Sequence, residues 1–196
     1  MADHRVPAAP PSFDLAAAEV RSTAFRDDLV VREIAAPSGI APEAIALAGD
    51  IRPEADGVDS PYGTGRFILL HDPDEQAAWD GSWRIVCFAQ APLESEIGTD
   101  PLLADVAWSW LMDALDSRGA TYHSASGTAT KTLSKGFGSL AGEGEGAQIE
   151  LRASWSPSGS LTPHVEAWAE LVCMLGGLPP GSEGIAVLGA QRAARD

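Results

Sequence analysis

The chain has 196 residues, is 45% hydrophobic and 21% charged, and sets 13 lysines and arginines against 28 aspartates and glutamates, for a net charge of −15. That composition suits one globular domain with a real core. It lacks the clustered cations that phosphate backbones need, so direct nucleic-acid binding is not expected, and its field repels acidic lipid surfaces.

No apolar run is long enough to span a bilayer, and the opening MADHRVPAAPPS has no apolar core of a secretory signal. Cys87 and Cys173 stand far apart on apolar segments, which reads as two reduced, buried thiols and a cytoplasmic protein. Residues 1–11 read as a flexible segment, 12–180 as a single α+β domain and 181–196 as a mostly mobile tail.

In chain order, Ser12 is expected to cap a short helix with Phe13, Ala16, Ala17, Val20 and Ala24 on its docking face. Residues 29–35 and 44–51 read as strands, separated by Pro37, Gly39 and Pro42. The Pro/Gly/Asp-rich loop 52–65 is long for a compact domain, which marks it as mobile or functional. RFILLH (66–71) and SWRIVCFAQ (82–90) are nearly continuous apolar runs and should form the centre of the sheet, covered at least in part on both faces. Between them, residues 71–81 predict a capped helical turn and then an Asp-Gly turn.

The most strongly marked helix is 100–119, with Asp100 as cap, Pro101 at the first position and Gly119 as the stop. Asp105, Ser109, Asp113 and Asp116 share one narrow arc, while Trp108 and Trp110 point in different directions, so two sides need cover. A sheet supplies one; a second helix or a second subunit supplies the other. Beyond it, 121–133 places Ser124, Ser126, Thr128, Thr130 and Thr132 on one face and His123, Ala125, Gly127 and Ala129 on the other. Residues 147–155 alternate cleanly and should pair with 121–133 as a hairpin. Thr162 and Pro163 start the last helix, whose buried stripe is Val165, Trp168, Val172 and Leu175. The order α-β-β-β-β-α-β-β-α predicts an α+β fold: a mostly antiparallel sheet with helices packed on it.

The chemical motifs are sparse. Gly136–Ala141 fits G-x-G-x-x-A, but a strand follows it instead of a helix and Glu143 and Glu145 would repel a pyrophosphate, so no cofactor is expected. His71, Asp72, Asp74 and Glu75 have no second histidine at i+4, and an Asp-Pro-Asp-Glu run is an ordinary helix start, so no metal site is expected. No nucleophile elbow or local Cys-His pair occurs, and no catalytic residue is assigned.

The segments GRFILLHDP (65–73), AWDG (78–81), DPLLADVAWSWLMDALD (100–116), IELRASW (149–155) and GLPP (177–180) together resemble an uncharacterised family of high-GC Gram-positive bacteria, domain of unknown function 3000. The resemblance runs from about Phe13 to Pro180. It implies a bacterial, cytoplasmic, single-domain protein and carries no activity to transfer.

Two functional classes remain. The first is a non-enzymatic protein-binding or adaptor domain, dimeric or bound to a basic protein, closed through a surface around Trp110. The second is a small-molecule binder or enzyme with a pocket near Tyr122, the 124–132 hydroxyl face and Arg152, with His71 and Glu150 as further candidates. Convergence of His71, Tyr122, Glu150 and Arg152 in one concavity separates the two.

Overall fold

The computed structural model describes residues 12–51 and 62–179. The expected loose segments 1–11 and 181–196, and most of the 52–65 loop, lie outside the described residues. Helix α1 (Phe13–Ser22) precedes strands β1 (Leu29–Ile34), β2 (Glu43–Ile51), β3 (Thr64–Gln76) and β4 (Gly81–Leu93). A short helix α2 (Ser95–Gly98) and the longer α3 (Leu103–Ser117) follow, then β5 (Thr121–Lys135), β6 (Glu145–Ser158) and α4 (Thr162–Leu175). The strands make one antiparallel sheet in the order β1-β2-β3-β4-β6-β5. This is the expected α+β architecture, with β3 and β4 central and β5 paired to β6.

Side chains alternate across the sheet, and the helices take one face only. Trp83, Ile85, Cys87, Ala89 and Ala91 of β4 face the helices and are buried. Their neighbours Val86, Phe88 and Gln90 face the other way and stay half-exposed. The same split runs along β6, where Ile149, Leu151, Ala153 and Trp155 are buried while Arg152 is exposed. The near-continuous apolar runs of β3 and β4 suggested cover on both faces. Among the described residues, no helix lies on the second.

Glycines set how close the helices come. A Cβ on Gly65 would fall 2.4 Å from Val172 Cγ2 and 2.9 Å from Trp168 Nε1; one on the facing Gly49 would fall 2.9 Å from the same indole. The pair forms a notch in the sheet, and Trp168 fills it, wholly buried, with its ring 5.8 Å from Phe67 and its Nε1 donating to the Phe88 carbonyl at 3.4 Å. Gly127 of β5 plays the same part for Trp108, whose Cζ3 would lie 2.5 Å from an added Cβ. Trp108 is half-buried there, less enclosed than its apolar neighbours suggested.

Helix α4 occupies the centre of the helical layer. Its buried residues include His164, Val165, Trp168, Leu171, Val172 and Cys173, which spread well beyond one stripe. On one side α3 packs along it, tied by Arg118 to Glu166 (3.0 Å) and Glu170 (2.8 Å). On the other, Glu19 of α1 accepts hydrogen bonds from the amides of Leu161 (2.9 Å) and Thr162 (3.0 Å) and from the hydroxyls of Thr162 and Ser160. A carboxylate from a distant helix thereby caps the free N–H groups of α4, where the helix dipole favours negative charge. Burial alone would raise the Glu19 pKa, but these donors outweigh it and hold the carboxyl below its usual range.

Local structure departs from expectation in three places. Residues 72–76 continue β3 past an irregularity instead of forming a helical turn. Asp72 Oδ1 accepts the Asp74 amide and its Oδ2 the Gln76 side chain, so the acids stabilise an extended turn-like kink. The Asp-Gly turn survives, with Asp80 at φ 57°. Asp100 does accept an amide, that of Leu102 at 2.8 Å, but regular α3 begins only at Leu103. Ser12 contributes its carbonyl to Ala16 and makes no side-chain cap.

Cys87 and Cys173 are free and buried, and burial pushes their thiols up to about 12 and about 11. His164 is fully buried; it accepts the Trp155 indole N–H at Nδ1 (3.1 Å), and its Nε2 has no partner among the described residues.

Two expectations follow from this packing. Trp168→Ala should cost about 3–5 kcal/mol through the cavity it opens, and Gly65→Ala about 1–3 kcal/mol through overpacking, both read from denaturant midpoints. An unchanged midpoint for either would contradict the notch. Burial lowers the His164 pKa to about 4 from 6.5. The unfolded chain then binds the proton first, so stability is fully present above about pH 6.5 and falls as pH drops toward 4. His164→Asn, which keeps an acceptor for Trp155, should remove roughly 3 kcal/mol of that fall. Equal pH dependence in wild type and variant would contradict it.

Candidate functional site

The five residues singled out from sequence fall in four separate places. His71 lies on the helix-covered face at one end of β3, its Nδ1 2.6 Å from Glu43 Oε2 and its ring 4.2 Å from Trp83. Tyr122 lies on the same face at the far edge strand. Its hydroxyl donates to Asp116 Oδ1 at 3.2 Å and touches Met112 Sδ; burial, then the Asp116 charge, raise its pKa. Glu150 and Arg152 point from β6 to the opposite face, paired at 2.6 Å, with the guanidinium 5.8 Å from the Phe88 ring centre. His71, Tyr122 and the Glu150–Arg152 pair therefore share no concavity. Trp110 packs half-buried against the core in the α3–α4 layer, so the second side of α3 has a helix beside it.

The histidines are equally dispersed. His164 is in the core, and His123 is carried to the helix-free face by the irregularity between His123 and Ser126, which places it opposite Ser156. The φ of 52° at Ser124 marks that bulge. His123 Nε2 bonds the Asp80 carbonyl at 3.0 Å. Among the described residues, no group of three or more His, Cys, Asp or Glu side chains could hold a metal ion.

The helix-free face does assemble a polar group that none of the motifs revealed. Arg84 projects from β4 beside the outward hydroxyls of β5 and β6. Its Nη1 donates to the Ser124 carbonyl (3.0 Å) and Ser156 Oγ (3.2 Å), and its Nη2 to Ser154 Oγ (2.7 Å) and Ser126 Oγ (3.4 Å). The residue is only 7% exposed, and among the described residues every acceptor is a neutral oxygen. Burial pulls its pKa down with no carboxylate opposing the effect. An arginine does not discharge in a protein, so the charge remains and its desolvation goes uncompensated by an ion pair. Just beyond, Val86, Ser126, Thr128, Arg152 and Ser154 line a shallow depression of about 350 Å³. The available signal was a single arginine at an outward position in SWRIVCFAQ, facing two strands rich in Ser and Thr.

At the other end of the sheet, exposed apolar side chains gather round the β5–β6 hairpin. Leu133 is 59% exposed, and Phe137 (74%) and Leu140 (53%) follow in the connecting turn, where the Leu140 amide bonds the Phe137 carbonyl. Helix α2 packs against both hairpin strands and adds the exposed Ile97. A Cβ on its Gly98 would lie 3.1 Å from Leu133, so Ile97 and Leu133 belong to one neighbourhood. Exposed acids flank them: Glu94, Glu96, Asp100 and Glu145. The two lysines nearby are engaged, Lys131 with the Asp100 carbonyl and Lys135 with Glu145, both at 2.6 Å.

No helix among the described residues is long and apolar enough to cross a membrane. No curated protein and no solved structure matches the chain. A family profile described as "Protein of unknown function (DUF3000)" matches residues 9–186, so the chain, with its one-faced sheet and dispersed histidines, belongs to that family.

Proposed function

We propose that this is a non-enzymatic protein-binding domain, acting in a reducing cytoplasm, whose contact surface is the apolar end of the β5–β6 hairpin. The observation that carries the reading is the exposure of Ile97, Leu133, Phe137 and Leu140 in one region. Soluble monomers seldom leave such side chains together at the surface without a use. The scatter of His71, Tyr122 and Arg152 over two faces removes the catalytic constellation that would favour an enzyme.

Charge selects the partner. The apolar centre is rimmed by acids, and the nearby lysines are already occupied. A second copy of the chain would set like-charged rims against each other, whereas a basic protein would neutralise them. The dimer suggested by the two-sided helix also loses its motive, because α4 packs along α3. Buried free thiols suit the reducing compartment.

A photoreactive residue placed at Phe137 in cells making the full chain should give one discrete adduct with a basic protein, and the same residue placed at Asp113 should not. The purified pair should re-form and should dissociate with the variant Phe137→Ser/Leu140→Ser, whose thermal midpoint should match wild type. An adduct of doubled mass would make the protein a homodimer instead. Adducts at both positions, or at neither, would contradict the surface.

A further inference from the structure

The geometry points to the depression above Arg84 as a binding site for a single carboxylate group, received by the Ser126 and Ser154 hydroxyls. This is independent of the hairpin surface and lies on the helix-free face.

The hydroxyl bookkeeping gives the polarity of the site. Ser126 Oγ and Ser154 Oγ both accept from the Arg84 guanidinium, so each hydroxyl proton is directed elsewhere. Ser156, which also accepts from Arg84, donates its proton to the Trp79 carbonyl. Ser126 and Ser154 line the depression, and neither donates to a described residue. The result is two O–H donors lining a shallow hollow, each polarised by the cation it accepts from. Donors of that kind favour a negatively charged acceptor, because hydrogen bonds to an ionised partner are the stronger ones.

Charge then fixes the class of ligand. Arg152, on the rim, is already neutralised by Glu150 at 2.6 Å. Asp80 reaches toward Ser124 Oγ (3.5 Å) and His123 (4.0 Å), and makes no bond to Arg84. Among the described residues, one positive charge, that of Arg84, is therefore left without a carboxylate behind the serine hydroxyls. A monoanion balances it, whereas a phosphate dianion would leave a surplus in a chain that is already at −15. A carboxylate also matches the two donors with its two oxygens. Val86 offers the depression an apolar wall, so the remainder of the ligand can be hydrophobic. The carboxylate can arrive on a free small acid or on an acidic side chain of a polypeptide; both present the same group.

The test is amide-resolved NMR titration of the full-length protein at about 0.15 M salt, where distant acids are screened beyond about 8 Å. The probes are sodium benzoate, its neutral isostere benzamide, inorganic phosphate and a capped hexaglutamate peptide. Benzoate should shift β4, β5 and β6 amides around residues 84–86, 126–128 and 152–154 in a saturable way, and benzamide should bind roughly tenfold or more weakly. Ser126→Ala/Ser154→Ala should weaken benzoate by roughly tenfold as well while leaving the remaining spectrum intact. Arg84→Met should do the same, and if it fails to fold the serine pair carries the test alone. Hexaglutamate binding more tightly than benzoate assigns the carboxylate to a polypeptide; benzoate alone assigns it to a free acid. Equal shifts from benzoate and benzamide, phosphate binding above benzoate, an undiminished response in the serine variant, or no saturable shift at all would each overturn the proposal.

Discussion

The seating of Trp168 in the notch between Gly49 and Gly65 is the contact on which the rest of the structure depends. An indole needs depth, and a sheet gives depth only where two facing residues have no Cβ. With the ring lodged there, α4 is pressed on β2, β3 and β4, and α1 and α3 have a fixed flank on either side. Glu19 and Arg118 then latch those helices to α4, with a carboxylate that caps its start and a bridge to Glu166 and Glu170 farther along it. The ion pairs are partly exposed and contribute little alone. Their work is to fix geometry that the tryptophan has already made favourable.

Concentrating every helix on one face has a consequence for the other. Among the described residues, alternate positions of β4, β5 and β6 have no helix over them, and the sheet closes part of that face with its own polar side chains. Asp50, fully buried, takes hydrogen bonds from Thr64 at 2.7 Å and from Arg32. Arg84 is covered in the same manner, but by serines in place of a carboxylate. Two buried charges on one surface are thus handled differently: one is paired, the other solvated by serine hydroxyls and the Ser124 carbonyl. The apolar hairpin end is a separate feature, set by β5 and β6 running past the helical layer. Its exposed side chains contribute nothing to the core, which suits a surface kept for a partner.

Much of this was legible in the chain. The 3.6-residue stripe Val165–Trp168–Val172–Leu175 and the alternation of 147–155 gave α4 and β6 directly, because burial on one side imposes the period. The apolar runs of 66–71 and 82–90 marked the centre of the sheet, and the 121–133/147–155 hairpin was legible, but the placing of β6 beside β4 was not. Residues 72–76 misled because Asp-Pro-Asp-Glu is a helix start in isolation, and only pairing beyond the irregularity holds it extended. His123 changed face because one bulge shifts every residue before it, which no pattern of polarity announces. The candidate site was legible only in part, as the 124–132 hydroxyl face and Arg152, and Arg84 escaped for a related reason. Arg84 means nothing until β6 and β5 bring Ser154, Ser156 and Ser126 alongside, and those hydroxyls come from strands some 40 and 70 residues away. The direction of Trp110 on an isolated helix calls for a second cover, and the sequence does not show that α4 packs along α3.

A helix-free face that is open in solution and holds a carboxylate beside Arg84 can be followed with a single thiol. The native thiols are buried and their pKa values raised, which leaves the protein silent toward thiol reagents and makes one introduced thiol easy to follow. Thr128 is exposed on the rim of the depression. The most direct measurement is the alkylation rate of the variant Thr128→Cys, in the folded full-length chain, with and without saturating benzoate. Labelling of the free protein should be fast, with marked protection by benzoate but not by benzamide. Slow labelling of the free protein, or a rate indifferent to benzoate, would contradict the carboxylate site.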